Sequence, residues 1–325
     1  MESMESTEKA KKKSRKWLLA VVAVLVILSV VGWCGVFSLA SSLGTLKGEE
    51  WGTGDAVGLI PVEGVIVSGK PSGFAERGLA YSGQIADFIR KANENQAVKA
   101  IVLRVDSPGG SVVASNEIYR ALRQVEKPLV ISMGELAASG GYYISCAADK
   151  IVANPDTLTG SIGVVAQIAH IHELMGKIGM EVTTIKSGPY KDEGSPFRKM
   201  TEEEKEIWQS IIDEAYQEFV EIVAEGRNLP EEEVRKLADG RIYTGRQAHK
   251  LALVDELGNF PRALELAAEL GGIEGKPRLI EYRRLPSLLE TLLGAFARPG
   301  LGMVEEFLGM SRFPTLQYLY VPSLQ

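Results

Sequence analysis

The sequence predicts an α/β fold of repeated strand–helix units with mostly parallel strands. Short apolar runs rich in β-branched residues recur at 57–62, 65–67, 99–106, 129–133 and 151–153. Apolar residues at helical spacing lie between them, as at Ile85, Phe88, Ile89 and Ala92, or Ile118, Leu122 and Val125. Strand and helix alternate with a period of about thirty residues, the pattern of parallel strands joined by helices.

Each element has a local reason. Residues 57–62 and 65–67 are strands broken by Gly64, 69–73 a loop, and 83–93 an amphipathic helix. The strand at 99–106 ends in Asp106-Ser107-Pro108-Gly109-Gly110-Ser111. There Pro and paired Gly force a turn, and Ser111 caps the next helix. The strand at 129–133 runs into Met-Gly-Glu-Leu-Ala-Ala-Ser-Gly-Gly-Tyr-Tyr (133–143), where a turn at Ser139 starts a helix through Ala148. Residues 151–153 are a strand, 157–163 a Thr/Gly/Ser turn, 170–178 a helix and 181–185 a strand. Residues 186–199 form a loop rich in Gly, Pro, Ser and charge. Thr201, with Glu204 three residues on, is a capping box. It opens a long helix whose buried face is Ile207, Ile211, Ala215, Phe219, Ile222 and Val223, and which Gly226 stops. Helices at 229–238 and 245–251 follow, the second started by Thr244, then a strand at 254–255 and a helix at 261–270.

Five segments result: a basic tail (1–16), an apolar span (17–40), a linker (41–55), the α/β domain (56–275) and an apolar, Pro-containing appendage (276–325). Residues 17–40 carry no charge and are long enough to cross a bilayer. Five basic residues between Lys11 and Lys16 precede them, which predicts a cytoplasmic N-terminus and an extracytoplasmic domain. A cleaved signal peptide is the competing reading, but its apolar region would be shorter. The appendage suits extra packing, an interaction surface or contact with the bilayer.

The net charge of −6 excludes the basic surface that nucleic-acid binding needs. Two cysteines, Cys34 and Cys146, are too few for a disulfide framework or a zinc site. No metal or cofactor is indicated.

Ser139 stands at a strand-to-helix turn among residues without bulky side chains, open to a substrate backbone. A plain helix N-cap is the plainer reading on local grounds. An activated serine needs a base, and the three histidines, His170, His172 and His249, lie outside any Gly-rich functional turn. A lysine freed of its proton by burial can serve instead. Lys191 sits in the irregular 186–199 loop, with Lys186 and Lys199 as rivals on position, and a solvated surface lysine as the plainer reading. Gly109, Gly110 and Gly140 could supply backbone N–H groups to an oxyanion, although tight strand–helix connections also use glycine.

Four ordered motifs carry a resemblance. They are Asp106–Ser111, Ala138-Ser139-Gly140-Gly141-Tyr142-Tyr143, Thr159-Gly160-Ser161-Ile162-Gly163-Val164 and Ser187-Gly188-Pro189-Tyr190-Lys191-Asp192. Behind an N-terminal anchor they resemble the short-form, SppA-type bacterial signal peptide peptidases of peptidase family S49. Asp239-Gly240-Arg241, Thr244–Ala248 and Leu253-Val254-Asp255 extend the likeness, which covers about residues 57–270. The resemblance implies a Clp protease/crotonase-like fold of ββα units behind a single transmembrane helix. It implies Ser139 as nucleophile, Lys191 as general base, Ser161 orienting the lysine amine, and Gly110 and Gly140, with Gly109, lining the oxyanion hole. It also implies a homo-oligomeric ring with serine and lysine from neighbouring subunits. The expected activity is endopeptidase cleavage of remnant signal peptides or other apolar peptides at the outer membrane face. A protease for one specific membrane protein, a non-catalytic peptide-binding scaffold and a crotonase-type acyl-CoA enzyme are the alternatives. Asp192 beside Lys191 opposes a neutral lysine, so its carboxylate is expected to point elsewhere.

Overall fold

A computed structural model describes residues 54–71, 78–283 and 317–319 of the chain. The tail, the apolar span at 17–40, nearly all of the linker and most of the appendage lie outside the described residues. No helix among the described residues is long and apolar enough to cross a membrane.

The strands are β1 (Ala56–Glu63), β2 (Val65–Val67), β3 (Leu79–Tyr81), β4 (Val98–Ser107), β5 (Gly109–Ser111) and β6 (Leu129–Ala138). They continue as β7 (Lys150–Ala153), β8 (Leu158–Gly160), β9 (Ile242–Thr244), β10 (Glu256–Leu257), β11 (Arg278–Glu281) and β12 (Gln317–Leu319). The helices are α1 (Ser82–Glu94), α2 (Val112–Leu122), α3 (Gly140–Ser145), α4 (His172–Lys177), α5 (Glu202–Arg227), α6 (Glu231–Leu237), α7 (Gly245–Lys250) and α8 (Phe260–Leu270).

The main sheet runs β10-β7-β6-β4-β1-β11 with parallel pairing along this path; β8 joins the far half of β6 in parallel and pairs antiparallel with β9. Both faces are covered, which is why its strands read as unbroken apolar runs. One face of β1 and β4, with Val57, Leu59, Ala100 and Val102, packs on Ala263, Leu266 and Ala267 of α8. The other, with Ile60, Val62, Ile101, Leu103 and Val105, joins the larger core beneath α1, α2, α3 and α5. A smaller sheet is ordered β12-β5-β2-β3, its β2 and β5 following directly on β1 and β4 in the chain.

The predicted α/β class and parallel strands hold. The expected capping box forms at Thr201/Glu204, the Ser111 hydroxyl accepts from the Ala114 N–H, and Thr244 starts its helix with a second box, completed by Gln247.

Five expectations need correction. Residues 181–185 form no strand: among the described residues the segment has no strand to pair with, and Ile185 is 97% exposed. Gly226 does not stop α5. It lies inside the helix, where any Cβ would come within 2.2 Å of the Cys146 carbonyl, and Asn228 in the left-handed region ends the helix. The buried face of α5 starts at Ala215; Ile211 is exposed. The strand expected at 254–255 forms two residues later, as β10. The appendage is not wholly separate, because Arg278–Glu281 extends the main sheet beside β1 and Gln317–Leu319 pairs with β5.

Candidate active site

Ser139 is delivered by β6. This strand pairs with β7 through Ser132, then turns to β8 from Leu136. The change is held by the Thr157 and Thr159 hydroxyls, which donate to the carbonyls of Gly134 and Ala137 at 2.7 and 2.6 Å. Ala138 is in register with Gly160, so Ser139 and Ser161 leave the sheet side by side. The Ser139 N–H donates to Gly160 O at 2.7 Å, and the Ser161 N–H to Arg241 O at 2.8 Å. Both serines have positive φ, 53° and 50°, a strained state for a residue with a Cβ. Ser139, with ψ −116°, makes a sharp strand-to-helix turn into α3.

Below the turn α3 is anchored. Tyr142 and Tyr143 are fully buried, and Tyr142 donates to Leu253 O at 2.9 Å. Asn116 donates to the Tyr143 hydroxyl at 2.8 Å, and burial raises the Tyr143 pKa. The nucleophile candidate therefore stands on an immobile base, as attack geometry requires.

The glycine strand β5 lies beside this turn. A Cβ on Gly140 would come within 3.1 Å of Gly109 Cα and 3.2 Å of Gly110 N. Gly110 pairs with Ile66 of β2, whose carbonyl leaves no room for a Cβ at 2.0 Å. The Gly109 N–H donates to Ser107 Oγ at 3.1 Å. On its other edge β5 pairs antiparallel with β12, and Gln317 also bridges Val165. Tyr318 is fully buried there. Its ring stacks on Tyr143 at 4.9 Å, and its hydroxyl donates to Ala215 O at 2.9 Å.

Ser139 and Ser161 line one cleft of about 430 Å³ with Val165, Tyr216, Asp239 and Gly240. Lys191 is not among the lining residues of that cleft. It sits exposed in the 186–199 loop, held in a turn by its N–H to Gly188 O at 3.3 Å. The rivals differ from it. Lys186 Nζ donates to Pro189 O and Asp192 Oδ1 at 2.7 and 2.6 Å, and Lys199 pairs with Glu173 at 3.5 Å. Among the described residues, Lys191 has no ion-pair partner. Asp192 does point elsewhere, to Arg198 and Lys186, which hold its carboxyl below the usual range.

The sequence model described as peptidase family S49 matches residues 121–274, and the Clp protease model matches residues 80–159. A protein of Methanocaldococcus jannaschii named as a protease is 46% identical over 191 residues, 58% of this chain and 61% of that protein. A Synechocystis protein named as a protease is 45% identical over 202 residues, covering 59% of this chain and 73% of that one. The chain belongs to peptidase family S49. An Enterococcus faecium S49 relative named signal peptide peptidase SppA is 39% identical over 220 residues, 67% of this chain and 64% of its own length. The chain thus spans less than two thirds of the M. jannaschii and E. faecium relatives.

Within this S49 chain, sequence reasoning missed three participants near the candidate residues. Tyr318 gave no signal, because its place depends on pairing with a distant strand. Ser115 lies fully buried with its hydroxyl unpartnered, where a Cβ on Gly140 would come within 2.5 Å of it. Arg198 gave a weak one, as one of two adjacent basic residues, with Lys199, between Asp192 and Glu204.

Proposed function

We propose that the chain is a membrane-anchored serine endopeptidase that cleaves remnant signal peptides and other apolar or unfolded peptides at the outer membrane face. One observation carries the reading: Ser139 sits on a strained strand-to-helix turn, in a cleft with Ser161, against the glycine strand β5. Strain of that kind is kept where the surrounding fold over-determines it. Ser139 is not openly exposed as the sequence suggested: it is 1% exposed and is set in the wall of the cleft.

In the proposed reaction Ser139 Oγ attacks the scissile carbonyl while Lys191 Nζ takes its proton. The N–H groups of Gly140 and Gly110 stabilise the oxyanion, with Gly109 shaping the strand, since its own N–H is taken by Ser107. Lys191 passes the proton to the leaving amine, and water then clears the acyl-enzyme with the lysine again as base. Ser161 Oγ orients the lysine amine.

In this reading Lys191, exposed and outside the cleft of its own chain, is supplied by the neighbouring copy in a homo-oligomeric ring. The exposed side chains of Leu174, Ile178, Met180, Val182 and Ile185 support this, because an unpartnered apolar arm is a surface for another copy. The anchor is residues 17–40, with the N-terminus cytoplasmic.

Ser139→Ala and Lys191→Ala are each expected to abolish cleavage of an unstructured peptide while the oligomer persists. Near-wild-type turnover of either variant overturns the dyad. Mixing the two inactive variants restores about a quarter of the sites if the pair spans neighbours, and none if it lies in one chain.

A further inference from the structure

Arg198 joins two carboxylates that the proposed mechanism does not use. Its Nε donates to Asp192 Oδ2 at 2.9 Å, and its Nη2 to Asp192 Oδ1 at 2.8 Å and Asp192 O at 3.1 Å. On its other side Nη1 donates to Glu204 Oε2 at 2.7 Å, and Nη2 reaches Glu204 Oε1. Glu204 is 1% exposed and fixed in turn, because its Oε2 accepts the Thr201 N–H at 2.9 Å in the capping box of α5. From there α5 runs back to the core and packs on α3, the helix that begins immediately after Ser139.

We infer that Arg198 is a positioning residue: its guanidinium holds the Asp192 carboxylate away from Lys191 Nζ and pins the lysine loop to the first turn of α5. This rests on the Ser139–Lys191 reading and deepens it. A general base must be free of its proton, and a carboxylate within about 4–6 Å favours the charged lysine by one to three pK units. Asp192 follows Lys191 directly, so only a competing cation keeps the two apart. Lys186 adds one contact to Asp192, but it is a single point charge on a flexible stem. Arg198 takes both carboxylate oxygens and the backbone carbonyl at once, which also sets the direction of the chain at Lys191.

The other charged groups around the loop do not replace it. Glu193 on the loop makes no ion pair with Lys191, and Lys199 pairs with Glu173 of α4. Glu173 also faces His172 at 3.8 Å, and of the three first-turn glutamates of α5, Glu202, Glu203 and Glu204, Glu204 is the one paired with Arg198 while Glu202 pairs with Lys205.

The test is the pH profile of kcat/KM of the full-length oligomer on an unstructured peptide. Arg198→Gln is expected to cut the rate about tenfold at neutral pH and to move the acidic limb up by about one pH unit, as Asp192 turns to Lys191. Adding Asp192→Asn returns the limb to its wild-type position while the rate stays low. Arg198→Lys moves the limb in the same direction by less, and carries the readout if the Gln variant does not fold. A uniform loss of rate with an unmoved limb overturns the inference. Lys191→Ala in parallel separates the two claims. If it is inactive and the Arg198 limb is unmoved, only the inference falls; if it stays active, the dyad falls with it.

Discussion

Ser139 and Ser161 leave neighbouring parallel strands one residue past the Ala138–Gly160 register pair, and both backbones turn to positive φ there. The strand register alone thus brings the two hydroxyl-bearing residues together, and the strain at each records the turn. Such a backbone costs roughly 1–3 kcal/mol for a residue with a Cβ. Ser139→Ala and Ser139→Gly both remove the hydroxyl, but only glycine relieves the turn. The Gly variant is expected to be the more stable by about 1 kcal/mol, a rise in Tm of a few degrees. Thermal melts of the two side by side decide it, and an equal or lower Tm for the Gly variant would show the turn to be unstrained.

Tyr318 ties β12 to the core. Its fully buried ring stacks on Tyr143 and contacts Phe219 at 4.7 Å. Tyr318→Ala is expected to cost about 3 kcal/mol by loss of a buried aromatic. Tyr318→Phe, which removes only the hydrogen bond to Ala215 O, costs about 1 kcal/mol. Gly109→Ala reaches the same contact from the other side, because its Cβ would lie 2.0 Å from Tyr318 O. Urea unfolding of the three variants reads this. Near-equal midpoints for Tyr318→Ala and wild type would mean that β12 is not held on β5 in solution.

The Asp192–Arg198–Glu204 link also has a signature in stability against pH. Arg198 is the main reason that both carboxyls titrate below their ordinary range. A depressed folded pKa adds stability that is present above the unfolded value, about 3.9 for Asp and 4.3 for Glu, and is lost as pH falls through the folded value. The Tm gap between wild type and Asp192→Asn is therefore expected to be constant above about pH 5 and to narrow toward pH 3. A gap that does not change between those limits would contradict the link.

Much of this was legible in the sequence, and the failures have physical causes. Parallel strands, helix caps and the four motifs are local, so the pattern around Ser111, Thr201 or Thr244 decides them. The far half of β6 was hidden because Gly134 to Ala138 lack β-branched residues; its pairing with β8 is made by the register, not by propensity. Residues 181–185 carry strand-like residues but have no partner strand among the described residues. Gly226 reads as a helix stop, yet it serves close approach to Cys146. The direction of the Asp192 side chain could be required but not read, since it depends on Arg198 being fixed by a buried glutamate.

The contact at Gly226 leads to a prediction about Cys146. The thiol is buried beneath α5, and burial pushes its pKa up to about 12. A thiol needs to be a thiolate to react, so in a Cys34→Ser background Cys146 should show no fast labelling by a neutral thiol reagent at pH 8. Labelling then proceeds only as fast as the region opens. In Gly226→Ala the new Cβ would sit 2.2 Å from Cys146 O, which forces α5 away from α3. In a Cys34→Ser background this variant is expected to label at least tenfold faster than its parent, with a lower Tm. Equal labelling rates would mean that the helix pair yields without exposing the thiol, and that the close packing read at Gly226 does not seal Cys146.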